Sequence, residues 1–166
     1  MKELIIFLFT VTSVFAQDSN NVKIIKKINE LRVSKGLDTL KYDESLFLVG
    51  KDWSKYILHK INNFSVNKLS SNHYKNPMFL HINYNSRFDQ VLKRKDVFSI
   101  GENINLSLDI EDTNNIIDHA FDCWKKSSNH YNLMVKKEQT NVAFSFSYSK
   151  KTKRMLCILV ISENIK

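Results

Sequence analysis

Apolar residues recur at two different periods along this chain, and the changes of period mark out its elements. Across residues 22–35, Ile24, Ile28 and Leu31 fall at helical spacing among charged neighbours, and Gly36 is placed to end that helix. Asp43 can cap a second helix, on which Leu46, Val49, Trp53 and Ile57 form one stripe. Gly50 lies on the same face and would let another helix approach closely. Periodicity then stops. Residues 61–85 are polar, rich in Asn and hold the single proline, Pro77, which predicts a long loop of the kind that often lines a site. Phe88, Val91 and Leu92 predict a short helix, and Val97-Phe98-Ser99-Ile100 a strand. Asp112 or Thr113 can start a further helix whose buried face is Ile116, Ile117, Ala120, Cys123 and Trp124. Val142, Phe144, Phe146 and Tyr148 alternate with smaller or polar residues, as a strand with one packed face does. Residues 155–161 are continuously apolar, which suits a central strand covered on both sides. Lys150-Lys151-Thr152 between these strands reads as a hairpin turn. Helices on both faces of a small antiparallel sheet would bury every stripe, an α/β layered class.

The N-terminal segment changes which residues belong to that domain. Met1-Lys2 is a short basic start, Leu4 to Phe9 is almost wholly apolar, and Val14-Phe15-Ala16 precedes the polar run Gln17-Asp18-Ser19-Asn20. This pattern predicts a signal peptide over 1–16, too short and too sharply ended for stable membrane insertion. Residues 17–166 then form one domain, secreted or extracytoplasmic and expected to be monomeric. The net charge of +8 survives cleavage, since Lys2 and Glu3 leave together, and a basic exported domain is drawn to anionic surfaces. Its charge is spread out, however. Lys93-Arg94-Lys95 and the group Lys150, Lys151, Lys153 and Arg154 read as solvated turns, and no nucleic-acid motif is present, so no specific nucleic-acid partner is expected. An oxidising compartment admits a disulfide between Cys123 and Cys157, while their apolar neighbours suit buried free thiols equally well.

Candidate chemistry rests on a few side chains. His59 reads as a surface or helix C-terminal residue. His119 stands four before Cys123, a spacing that can hold a metal on one helix face and that packing explains as simply. His130 follows a helix and precedes a strand, where an imidazole can face a cleft with Tyr131 as a brace. Glu102 comes after a predicted strand and a glycine. Gly101 would let the chain turn and project the carboxylate from the sheet rim, with Asn103 binding its own backbone to hold the bend. Glu102 could equally fix the loop by accepting hydrogen bonds.

Two short segments then matter together. Gly101-Glu102-Asn103-Ile104 matches a GEN(I/V) motif, and Trp124, Ser127 and His130 fit a W-x-x-S-x-x-H pattern. With Ile28-Asn29-Glu30-Leu31-Arg32, Gly36-Leu37, Leu40, Asp43 and Leu46 in order before them, the chain resembles the CAP superfamily, the SCP or pathogenesis-related-1-like domain, in its short bacterial secreted type. The resemblance runs from Val22 to about Ser162. It implies a three-layer α–β–α sandwich, with a small central, mainly antiparallel sheet and an open cleft lined by two histidines and one or two acidic residues. Glu102 and His130 take two of those places. For the earlier histidine His73 is preferred, after Lys68-Leu69-Ser70-Ser71, with His81 as the alternative. Arg87 resembles an arginine often found before the GEN motif. Trp124, Ser127, Tyr131 and Asn103 support the site. The chain departs from the animal and plant pattern at Ser127, where those members carry a second glutamate, and Tyr131-Asn132-Leu133-Met134 lacks a polar residue usual after the histidine.

Two imidazoles and a carboxylate could bind one divalent metal such as zinc. The expectation is therefore an extracellular module whose His/Glu cleft binds a ligand or cell-surface component, modulated by metal. The alternative is a divalent-metal-dependent hydrolase, with Glu102, His130 and His73 as candidate catalytic groups. No glycine elbow accompanies Ser127 or Ser128, so a serine triad is not expected.

Overall fold

The computed structural model describes residues 19–63, 80–81 and 83–165. The leader 1–16, most of the 61–85 loop, and His73 lie outside them. Helix α1 covers residues 19–33 and is followed by a turn in which Gly36 takes φ +71°, a left-handed conformation that glycine adopts without steric cost. The two-residue strand β1 (Lys41–Tyr42) leads into α2 (Glu44–Asn62). Asp43 caps α2 as expected, its carboxylate accepting from the Ser45 and Leu46 amides. Then come α3 (Tyr84–Leu92), β2 (Val97–Ser107), α4 (Ile116–Lys126), α5 (Ser128–Val135), β3 (Asn141–Ser149) and β4 (Arg154–Asn164).

The four strands form one sheet in the order β1-β3-β4-β2. Only β1 against β3 is parallel. Strand β4 explains its own sequence. Met155, Cys157, Leu159 and Ile161 face one layer with α1, α4 and Met134 of α5, while Leu156, Ile158 and Val160 face the other with α2 and α3. Alternation directs successive side chains into two separate cores, so the strand must be apolar at every position. This is the expected three-layer α–β–α sandwich.

Several local expectations change. Strand β2 does not stop at Ile100 but runs through Gly101-Glu102-Asn103 to Ser107, paired with β4 throughout, so Gly101 makes no turn. A shift of register between Val97 and Ser99 leaves Phe98 outside the pairing and exposed. Gly50 admits the sheet rather than a helix: a Cβ there would meet Ser145 Oγ at 2.8 Å and Val160 Cγ2 at 3.4 Å. Helix α4 begins at Ile116, because Asp112 is used in the preceding turn, where it accepts from the Asn114 amide at 2.9 Å. His130 sits inside α5, a second short helix that packing supports despite its weak pattern. Among the described residues no helix is long and apolar enough to cross a membrane.

Candidate functional site

Strand β2 is an edge strand, and its alternation deals Glu102 to one face and its neighbours to the other. Ile100 and Ile104 pack in the α2/α3 core, and Glu102 between them points the same way. Its carboxylate is almost completely enclosed, 1% exposed. Arg87 grips it with a two-pronged pair, Nη1 to Oε2 at 2.9 Å and Nη2 to Oε1 at 2.5 Å. His81 Nδ1 adds a third contact to Oε1 at 2.8 Å. Burial pushes the Glu102 carboxyl up, but the hydrogen bonds and charges of Arg87 and His81 outweigh it and hold the group below its usual range. An ionised carboxylate only accepts, so His81 Nδ1 donates and Nε2 remains as the ring's other polar atom. The His81 side chain is 29% exposed.

Helix α3 aims the guanidinium. Tyr84, Arg87 and Phe88 share one helical face by their i, i+3 and i+4 spacing. Asn83, at φ 56°, supplies the left-handed step into the helix that Asn tolerates. The Arg87 guanidinium carbon lies 4.1 Å from the Trp53 ring centroid, 5.2 Å from that of Phe88 and 5.8 Å from that of Tyr84. Three aromatic rings thus surround the cation that neutralises Glu102. Trp53 Nε1 donates to Leu80 O at 2.9 Å, fastening the residue before His81 onto α2. The Tyr84 hydroxyl donates to the Ile100 carbonyl of the edge strand. Its pKa is pushed up to about 12, first by burial and then by the Glu102 charge, with Arg87 acting the other way.

On the opposite face of β2, Asn103 Nδ2 donates to His130 O at 2.9 Å. This replaces the expected bond to its own backbone and anchors α5 to the GEN segment. Gly101 is the contact point, since a Cβ there would meet Leu133 Cδ1 at 2.5 Å. The His130 ring is half-buried, and burial, helped by the charge of His81, pushes its pKa down. The two histidines are therefore electrostatic neighbours although they flank opposite faces of one strand.

Of the supporting residues, Trp124 is buried in the core, edge-on to Phe144 with centroids 6.2 Å apart. Ser127 joins α4 to α5 through its backbone, receiving the Tyr131 amide at 2.8 Å. Tyr131 packs against the α1/α4 core. Cys123 and Cys157 are free thiols, so the pairing weighed from sequence is not made. Tyr84 and Trp53 were not singled out for the site. The Tyr84/Arg87/Phe88 spacing was a signal that could have found the first.

A carboxylate-bound metal does not fit this donor set. Both Glu102 oxygens are engaged by Arg87 and one also by His81, and a cation there would have to displace a guanidinium from an enclosed site. Among the described residues no three His, Cys, Asp or Glu gather as ligands, and His73 lies outside them.

With this geometry in place, comparison identifies the class. The family model for CAP, the cysteine-rich secretory protein family, matches residues 25–161, and the chain belongs to that family. Solved structures with the same fold include an outer surface protein of Borrelia burgdorferi (14% identity, TM-score 0.56, 87% of this chain and 92% of that one). An extracellular SCP-domain protein of Bacillus anthracis is similar at 18% identity and TM-score 0.55, over 87% of this chain and 41% of that one. A cysteine-rich secretory protein of Staphylococcus aureus is similar at 14% and 0.53, over 89% and 39%. At these identities the likeness establishes the fold. No curated protein sequence matches the chain.

Proposed function

We propose that this chain is a secreted binding module that recognises a peptide, lipid or wall component through a surface framed by His81 and His130, with enclosed Glu102 orienting His81. Family membership and the extracellular character printed for two of the similar structures support export. One observation carries the binding reading: Glu102 has both oxygens committed inside the protein. A carboxylate so held orients His81 and is not free to act as a base or metal ligand. The polar atoms left for a ligand are His81 Nε2 and the imidazole of His130, which suit hydrogen bonds to hydroxyl, amide or carbonyl groups. The hydrolase alternative asks of Glu102 a free oxygen that Arg87 and His81 take up.

The test follows the imidazole proton resonances of His81 and His130 while the protein is titrated with soluble peptidoglycan fragments, lysophospholipid micelles or a pool of unstructured peptides. One class is expected to shift both rings saturably and to be recovered intact, with the response lost in His81→Ala and His130→Ala. No perturbation by any class would sink the binding reading. Ligand cleavage abolished by Glu102→Gln would replace it with the hydrolytic one.

A further inference from the structure

A second cluster lies on the other layer, beneath α4. His119 and Cys123 are one helical turn apart, with His119 Nε2 and Cys123 Sγ separated by 3.8 Å. Ser107, buried near the end of β2, places its Oγ 2.7 Å from the same His119 nitrogen. The Ser107 hydroxyl proton is committed elsewhere, donated to Asn105 Oδ1 at 2.7 Å. Ser107 Oγ therefore turns a lone pair toward Nε2, and the Nε2 proton lies among a nitrogen, an oxygen and a sulfur donor. His119 is exposed and Cys123 partly so, which leaves the cluster open to solvent. Neither residue takes part in the His81–Glu102 arrangement.

The geometry points to a binding site for a thiophilic cation of low coordination number, of the Cu(I) type, between Cys123 Sγ and His119 Nε2, with the 2.7 Å Ser107 Oγ contact to Nε2 given up on binding and the third position left to solvent. With bonds of about 2.3 Å to sulfur and about 2.0–2.1 Å to nitrogen, those atoms stand about 3.5 Å apart in a tetrahedral shell and about 3.8 Å apart in a trigonal one. The observed separation matches the trigonal case. The described residues assemble no group of three His, Cys, Asp or Glu, so a cation demanding four strong protein ligands is not served. Thiolate selects soft cations, Cu(I) among them, and imidazole also suits copper. Binding releases the Cys123 thiol proton, and the imidazole proton passes from Nε2 to Nδ1 through solvent, so affinity falls with acidity. Cys157, buried opposite Asn105 in the sheet, is an electrostatic neighbour of Cys123, so its removal tests whether this second thiol also holds the cation.

The experiment is an anaerobic Cu(I) titration of the full-length protein against a chromophoric chelator. One equivalent is expected to be withdrawn from the chelator. Loss of a mere outer-shell partner costs about 10–100-fold in metal affinity, so Cys123→Ser and His119→Gln are each expected to weaken binding at least about tenfold. Cys157→Ala is expected to bind as the wild type does. Thermal melting of each apoprotein identifies any variant that fails to fold, and exposed His119→Gln carries the test if Cys123→Ser is unstable. Equal affinity in His119→Gln and wild type, failure to compete with the chelator, or loss confined to Cys157→Ala overturns the proposal.

Discussion

Arg87 neutralises Glu102 through both carboxylate oxygens inside a wall of Trp53, Tyr84 and Phe88 rings, so an edge strand carries an enclosed charge in its interior-facing register. Such a pair is worth little against an apolar isostere but is costly to break from one side. Arg87→Met is therefore expected to destabilise the protein by about 3–5 kcal/mol, because it strands the carboxylate. The double variant Arg87→Met/Glu102→Leu is expected to recover most of that loss. Urea unfolding of the two singles and the double gives the coupling energy. Additive losses would show that the two side chains do not act as a pair.

Acid should weaken the fold in two steps with separate origins. His130 has a folded pKa below its ordinary 6.5, so the unfolded chain binds its proton first. Stability is then lost as pH falls from 6.5 toward the folded value. Glu102 is also depressed, below an ordinary 4.5. Its contribution is complete above 4.5 and disappears as pH falls through the folded pKa. Denaturant unfolding across this range is expected to show the earlier step abolished in His130→Gln and the later one abolished in Glu102→Gln. A wild-type stability that stays flat between 6.5 and 4.5 would contradict the burial of His130.

Gly101 makes a prediction opposite to the one its sequence context invites. It is not a hinge but the site of closest approach of Leu133. Gly101→Ala is expected to cost about 1 kcal/mol, the low end of overpacking, because partly exposed Leu133 can give way. Because the clash is with the end of a leucine side chain, Gly101→Ala/Leu133→Ala should be more stable than the sum of its singles implies. The shift of α5 should also move the His130 resonances. Additive singles would mean that α5 does not rest on this contact.

The layers were readable in the sequence because burial imposes period, and β4 and the stripes of α1, α2 and α4 are buried on well-defined faces. The edge strand was read short. Glu102 and Asn103 are polar yet paired to β4, and their partners Arg87 and the His130 carbonyl come from segments 15 and 27 residues away, which no local period records. Helix α5 was missed for a related reason: Met134 is the only wholly buried residue it contributes. The family pattern brought Glu102, His130 and Arg87 forward. It preferred His73 over His81, where the segment between α2 and α3 has no period to fix its register.

The segment Ile28-Asn29-Glu30-Leu31-Arg32 contains one more residue whose part is structural. Arg32 is fully buried, and its fork spans four carbonyls. Nε donates to Asp38 O at 2.7 Å, Nη1 to Met134 O at 2.9 Å and Lys136 O at 3.0 Å, and Nη2 to Gln139 O at 3.3 Å. The end of α1 is thus tied to the connection between α5 and β3, the same α5 that carries His130. A lysine keeps the charge but concentrates its donors at one strongly hydrated point, and it cannot span these acceptors. Arg32→Lys and Arg32→Met are both expected to lose at least about 2 kcal/mol, since either leaves buried carbonyls without donors. Amide exchange should accelerate in α5 more than in α2. If Arg32→Lys unfolds within about 0.5 kcal/mol of the wild type, charge rather than the planar fork is what this site requires.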